Sequence, residues 1–287
     1  MPKKKRRSLK KLSNQNIIMT ACVLMIASFL FGIWVSKISE QKPSTTTAIP
    51  LPEKIKKPTR GFIAIIIDDW GYNDTAIDFL ETIDIPVAIA VLPKLPFSKT
   101  IAQRAARNDK EVMLHLPLEP HYTADNYPKD YVIKGFMKPE RIRKIIDESL
   151  ATVPFAQGFN NHMGSKATEN KELLKTVFAY FKEKNFFAVD SYVSEKSVCK
   201  KTATSLGMPF IKRDVFLDNV ADRTMIEGEF AKLAHLAEKK GYAVGIGHAR
   251  PLTLQMIKEQ SRILQAKGFV FLTVREIITQ AKTINKQ

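Results

Sequence analysis

Ionisable and amide side chains collect directly after the short apolar runs of this sequence. Six runs are followed by these residues: Asp68 and Asp69; His115, with Glu119 four positions on; Asn160, Asn161 and His162; Asp190; Arg213 and Asp214; and His248. Carboxylates and imidazoles bind divalent metals and transfer protons. The set is therefore typical of an active site that contains a metal, and independent strand-capping roles for all of its members are the weaker explanation.

Asp68 and Asp69 are adjacent, and this makes the pair informative. Two carboxylates this close repel one another unless a cation lies between them or they share a proton. A metal bound to one carboxylate would remove the repulsion and leave the other free as a base. The structural alternative is a turn or a helix cap, because Asp shortly before a glycine such as Gly71 is common in turns.

Histidines supply the remaining candidate metal ligands. His115 and Glu119 have the i, i+4 spacing of a ligand pair, but the proline between them disfavours a helix and weakens that signal. His162 lies in a polar, glycine-bounded loop after an apolar run. His121 falls in a polar loop and His235 inside a predicted helix, so we interpret both as structural or solvated.

Apolar runs alternate with longer amphipathic stretches from Gly61 onward. The predicted strands are 62–67, 87–92, 111–114, 156–159, 186–189, 209–211, 243–246 and 269–272, and the predicted helices are 98–107, 139–152, 170–184, 224–240 and 253–267. Seven or eight strands in βα alternation predict an α/β fold, either a barrel of parallel strands or a doubly wound sheet. In a βα barrel the carboxyl ends of the strands meet on one face, so the polar residues should converge there.

The N-terminal part of the chain predicts a membrane anchor. Residues 1–16 form a basic tail, residues 17–36 carry no charge over 20 positions, and residues 37–60 form a polar, proline-bearing linker before the domain at 61–287. Twenty apolar residues span a bilayer as a helix, and the preceding cations keep the tail in the cytoplasm. We therefore expect an extracytoplasmic domain, periplasmic in a Gram-negative cell. A cleaved signal peptide is the alternative.

Charge and cysteine content exclude two other classes of protein. Of the net charge of +16, residues 1–60 contribute +11, from 13 Lys/Arg and 2 Asp/Glu. The basic excess belongs to the tail, so a nucleic-acid-binding face is not expected. The two cysteines, Cys22 and Cys199, are divided between the apolar run and the domain, and so no disulfide within the domain is available. Any metal site must use His, Asp and Glu.

The ordered motifs of the domain resemble those of the divergent polysaccharide deacetylases, a branch of the NodB-like carbohydrate esterases. The resemblance covers roughly residues 61–278. Its motifs are Ile-Ile-Ile-Asp-Asp-Trp-Gly-Tyr (65–72), His-Leu-Pro-Leu-Glu-Pro (115–120), Asn-Asn-His-Met-Gly-Ser (160–165), Val-Asp-Ser (189–191), Arg-Asp-Val-Phe-Leu-Asp (213–218) and Ile-Gly-His (246–248). It implies a distorted (β/α) barrel of seven to eight parallel strands and a divalent metal, usually zinc.

The resemblance also implies roles for individual residues. In the Asp pair, Asp68 would be the base and Asp69 a metal ligand. His248 would be the general acid, and Asp190 would orient it. His115 would be a second ligand, and either Glu119 or His162 the third, with His162 favoured because imidazole binds zinc well. Arg213 would supply an arginine that this family carries elsewhere.

The function implied is the removal of acetyl groups from an extracytoplasmic glycan, for which peptidoglycan is the obvious candidate. Two alternatives remain at this point. One is another hydrolase on a βα barrel, such as a glycosidase or a phosphoesterase. The other is a non-catalytic envelope protein that binds glycan or acts as a scaffold on a retained deacetylase fold, because a fold alone does not determine function.

Overall fold

A computed structural model describes residues 60–122 and 129–284 of the chain. Within these ranges no helix combines the length and the apolar character needed to cross a membrane. The predicted basic tail (1–16), the predicted membrane-spanning helix (17–36) and all but the last residue of the predicted linker (37–60) lie outside the described residues.

Strands and helices alternate along the described part of the chain. The strands are β1 (Gly61–Trp70), β2 (Ala88–Val91), β3 (Glu111–Leu118), β4 (Gly158–Met163), β5 (Phe187–Asp190), β6 (Phe210–Lys212), β7 (Val215–Phe216), β8 (Tyr242–His248) and β9 (Phe269–Phe271). The α-helices are α1 (Phe79–Thr82), α2 (Ser98–Arg107), α3 (Pro139–Thr152), α4 (Lys171–Glu183), α5 (Cys199–Leu206), α6 (Arg223–Lys240), α7 (Pro251–Ala266) and α8 (Val274–Ile284).

All paired strands are parallel and follow the order β6-β5-β4-β3-β2-β1-β8-β7, with β9 beside the start of β1. This is the order of a βα barrel, and it confirms the expectation of a parallel-strand α/β fold. In the described residues, however, no ladder joins β6 to β7, so the sheet is a half-barrel. Only Arg213 and Asp214 separate these two strands, because this extended segment pairs first with β5 and then with β8.

β1 is the central strand of the sheet. It pairs with β8 along most of its length, with β2 near its end and with β9 at its start. All of its residues except Asp69 are buried. A strand covered on both faces needs a continuous apolar sequence, which explains the uninterrupted run Phe62–Ile67. Its register places Asp68 directly beside His248 of β8.

Candidate active site

The end of β1 delivers two neighbouring carboxylates to one place. Neighbouring strand residues normally point to opposite faces. Asp69 breaks this alternation with a left-handed φ of 63°, and the register of β1 on β2 shifts between Ile67 and Trp70. Asp enters the left-handed region more readily than most residues. As a result Asp68 Oδ2 lies 3.7 Å, and Asp69 Oδ1 3.2 Å, from Nε2 of His115.

Asp69, His115 and His162 bring three ligand atoms together. Asp69 Oδ1 lies 3.2 Å from His115 Nε2 and 3.0 Å from His162 Nδ1, and the two nitrogens lie 3.2 Å apart. Tetrahedral zinc with ligand bonds of about 2.0–2.2 Å separates its ligand atoms by roughly 3.3–3.6 Å. A shift of a few tenths of an ångström would therefore let these atoms surround one ion.

Asn160 controls which nitrogen of His115 carries a proton. The Asn160 amide donates to Asp68 Oδ1 at 2.8 Å, and its oxygen lies 2.8 Å from His115 Nδ1. His115 Nδ1 is then the donor, and Nε2 of the neutral ring presents a lone pair to the Asp69 carboxylate. A carboxylate oxygen and an imidazole lone pair that face each other need a cation or a proton between them. The donor set therefore fits a divalent metal.

When no metal is bound, protons supply the positive charge that this cluster needs. Burial alone would raise the pKa of Asp69, but hydrogen bonds and charge from His115 and His162 hold it well below its usual range. Burial would lower the pKa of His115, but the charges of Asp68 and Asp69 outweigh it and raise this pKa to about 9. Asp69 is thus a persistent anion whose neighbours must supply positive charge.

Glu119 is not part of the cluster. Its carboxylate accepts hydrogen bonds from the Gly135 backbone N–H at 2.9 Å and from Lys166 Nζ at 2.8 Å. β3 continues to Leu118, so four residues of extended backbone, about 13 Å, separate Glu119 from His115. The alternative in which Glu119 is the third ligand is therefore wrong for this arrangement, and Glu119 instead anchors the loop around Gly135.

Asp68 is the buried carboxylate of the pair. It is only 2% exposed, and among the described residues its carboxylate accepts a hydrogen bond from the Asn160 amide alone. Burial raises the pKa of Asp68, and the opposing charge of His115 does not cancel the effect. A carboxylate that binds a proton more readily than usual, next to a candidate metal site, has the properties of a general base.

His248 is held by Asp218. Its Nδ1 lies 2.8 Å from Asp218 Oδ1, and its backbone N–H donates to Asp218 Oδ2 at 3.0 Å. Nε2 lies 3.8 Å from Asp69 Oδ2, so the second ring nitrogen lies toward the cluster. Burial would lower the pKa of His248, but the hydrogen bond and charge of Asp218 outweigh it, and the pKa is raised. A cationic ring in this position can donate a proton.

The residue expected to orient His248 was Asp190, and this expectation is wrong. Asp190 accepts hydrogen bonds from the Tyr192 backbone N–H at 2.8 Å and from Ser197 Oγ at 2.7 Å, and so shapes the loop after β5. The physical reason is sheet order. β5 does not pair with β8, whereas β7 does, and Asp218 follows β7 by two residues.

Arg213 lies at the opening between β6 and β7. Its guanidinium donates to the carbonyls of Ser191 and Tyr192, at 2.7 and 2.9 Å, and lies 4.4 Å from the centre of the Phe216 ring. Phe216 in turn stacks on His248, with ring centres 5.2 Å apart and planes 17° from parallel. Arg213 therefore connects the loop after β5 to the aromatic ring that supports His248.

Comparison with known proteins identifies the family. A model of the divergent polysaccharide deacetylases matches residues 65–278. The chain belongs to this family. The uncharacterized protein YibQ of Escherichia coli is 32% identical over 203 residues, which are 69% of this chain and 62% of that protein. The match thus spans less than two thirds of this relative.

Solved structures share the fold of this divergent polysaccharide deacetylase. An uncharacterized protein from Agrobacterium tumefaciens has a TM-score of 0.71 at 20% identity, over 76% of this chain and 89% of that one. A deacetylase solved with substrate has a TM-score of 0.50 at 14% identity, over 77% of this chain and 92% of that one. At these identities the likeness concerns the fold alone.

Two residues of this deacetylase-family site, Asn160 and Asp218, received no role from sequence reasoning. Asn160 precedes His162 by two positions in β4, and alternation along a strand places both side chains on one face. That spacing was a usable signal. Asp218 follows a strand of only two residues, which is too short to show a periodic pattern, and so its position beside β8 could not be seen.

Proposed function

We propose that this protein is a metal-dependent hydrolase that removes acetyl groups from an extracytoplasmic glycan. The observation that carries the proposal is the convergence of Asp69, His115 and His162, with donor atoms 3.0–3.2 Å apart, beside a buried Asp68 and an Asp218-bound His248. Metal ligands, a base and an acid are the parts that metal-assisted amide or ester hydrolysis requires.

A divalent ion held by Asp69, His115 and His162 would polarise an acyl carbonyl and activate water. In this proposal Asp68 receives the proton of the attacking water, because burial strengthens its affinity for a proton. Asn160 holds Asp68 and the Nδ1 proton of His115 at the same time, which fixes both groups in place. His248 gives its Nε2 proton to the departing nitrogen or oxygen of the sugar, and Asp218 stabilises its cationic form.

Zinc is the metal that we propose, because two imidazoles and a carboxylate are a common three-residue set in catalytic zinc sites, with one position left for water. The glycan we propose is an envelope polysaccharide such as peptidoglycan. This choice rests on the sequence of residues 1–36, which predicts a cytoplasmic tail and a membrane anchor and thus an exported domain.

The test is acetate release from N-acetylated cell-wall fragments by the purified full-length chain, loaded with zinc or stripped with a chelator. We expect release only with metal. Asp68→Asn tests the assigned base separately from the metal, because it keeps the size of the side chain but cannot accept the proton. It should retain metal and lose at least ~100-fold in rate. A metal-loaded wild type that releases no acetate from any acetylated glycan would refute the enzyme proposal and favour a non-catalytic envelope protein.

A further inference from the structure

A cleft opens beside His248 and Asp69, on the side away from His115 and His162, neither of which lines it. It lies between the loop that follows β1 and the turn that follows β8, and its volume is about 210 Å³. Beyond Asp69 and His248, its walls include Trp70, Tyr72 and Arg250. Pockets that enclose a whole drug-sized ligand measure roughly 300–1,000 Å³, so this cleft accommodates one sugar ring or a substituent.

Arg250 brings a positive charge that its surroundings only partly neutralise. Its side chain is 50% exposed, and Nη1 donates to the Asp218 carbonyl at 3.3 Å. The Asp218 carboxylate is 3.8 Å away and already accepts hydrogen bonds from His248 and from Thr253 Oγ1. No other hydrogen bond or ion pair of this guanidinium is found in the described residues. Most of its five N–H donors therefore remain for a ligand.

The backbone on both sides of the cleft is well defined. Arg250 is the N-cap residue of α7, its N–H bonds to the His248 carbonyl at 2.7 Å, and Pro251 starts the helix. On the other side Gly71 has φ of 126°, and its carbonyl accepts from the Phe97 N–H at 3.0 Å. A side chain at Gly71 would be strained in that conformation. The cleft is thus preformed.

We propose that this cleft binds a carboxylate of the substrate and that Arg250 is the residue that selects for it. The substrate class is an N-acetylated amino sugar that carries a carboxylate, or is joined to one, close to the acetyl group. A planar guanidinium matches a carboxylate through two parallel hydrogen bonds. Among the described residues that line the cleft, the charges of His248 and Asp69 offset one another, no lysine is present, and Arg250 remains as the net positive charge. A single net cation suits one negative charge better than a phosphate dianion. Tyr72, about half exposed, offers a ring face for the carbon skeleton of the sugar.

The inference rests on the proposed function for turnover but not for binding, and the experiment separates the two. The probes are an N-acetylated amino-sugar fragment with a free carboxylate and the same fragment as its primary amide. Both are tested for equilibrium binding and for acetate release with the zinc-loaded full-length chain. We expect the wild type to bind the carboxylate about 10- to 100-fold more tightly than the amide, as a charge-assisted pair does.

Arg250→Gln should abolish that preference, mainly through KM, and Arg250→Lys should restore part of it. Arg262→Gln is the matched control, because Arg262 lies on the same helix but pairs with Asp84 on an exposed surface. It should keep the full preference. Equal binding of both probes by the wild type, or an equal loss of both in Arg250→Gln, would overturn the inference. Selective binding without acetate release would instead refute the proposed enzyme function and leave the carboxylate site standing.

Discussion

Replacing Asp218 by Asn should shift the protonation of His248 more than any other single change in this site. Asp218 Oδ1 lies 2.8 Å from His248 Nδ1, and this contact outweighs the burial that disfavours the cationic ring. A hydrogen bond to a charged group contributes about 1.5–3 kcal/mol. Its loss should shift the protonation equilibrium roughly 10- to 100-fold toward the neutral ring. An amide can also donate to Nδ1, which further favours the neutral form.

The sign of the pH effect follows from the raised pKa of His248. The wild type should lose activity as pH rises through that pKa, since the ring then has no proton to donate. In Asp218→Asn this alkaline limb should move to lower pH. The measurement is an NMR titration of His248 in the zinc-loaded protein, together with the pH profile of kcat/KM.

Asp190→Asn is the matched control for this experiment. Asp190 follows β5, which does not pair with β8, and its carboxylate accepts hydrogen bonds from Tyr192 and Ser197 rather than from His248. It should leave the His248 titration in place. Thermal unfolding of both variants identifies any general loss of structure. The reasoning fails if Asp190→Asn moves the alkaline limb and Asp218→Asn does not.

Three further predictions concern the metal, the packing around the acid and a buried carboxylate remote from the site. His162→Ala should lower zinc occupancy at least ~10-fold by elemental analysis while Glu119→Ala retains it, and the reverse result would exclude the assigned ligand set. Gly247→Ala should reduce the free energy of unfolding by about 1–3 kcal/mol in denaturant titrations, because a new Cβ would lie 2.9 Å from Thr253 Cγ2; an unchanged midpoint would contradict it. Burial raises the pKa of Glu111 from 4.5 to about 7. Its contribution to stability is therefore complete below pH 4.5 and falls by about 3 kcal/mol as pH rises through 7, and Glu111→Gln should remove this dependence.

Much of the fold could be predicted because its strands are buried on both faces. Continuous apolar runs such as 62–67 and 243–246 appear in the structure as parts of β1 and β8. The helices at 98–107 and 139–152 have the predicted bounds, since their amphipathic patterns are long. Three helices were not predicted: the short α1 and α5, and α8 at the end of the domain.

The errors at the site have a common physical origin. A sequence shows which residues follow a strand, but not which strands become neighbours. The orientation of His248 depends on the pairing of β7 with β8, and this pairing brings Asp218 rather than Asp190 to the ring. Residues four positions apart, such as His115 and Glu119, lie on one face of a helix but about 13 Å apart along a strand. The apolar run predicted that β3 ends at residue 114, whereas the strand continues to Leu118 and keeps the two side chains apart.

The pairing of β1 with β8 also determines when the site can come into existence. Asp68 and His248 are direct neighbours in the sheet although about 180 residues separate them along the chain. Contacts between such distant segments form late, because the intervening chain must first be ordered. Asp69, His115 and His162 all precede residue 163, so the candidate metal ligands are translated well before His248. A chain that ends before residue 242 would lack β8 and β9, the strands that pair with β1 along much of its length. The pairing of Asp68 with His248 therefore depends on completion of the whole domain, and a nascent or unfolded chain does not yet hold these two side chains together.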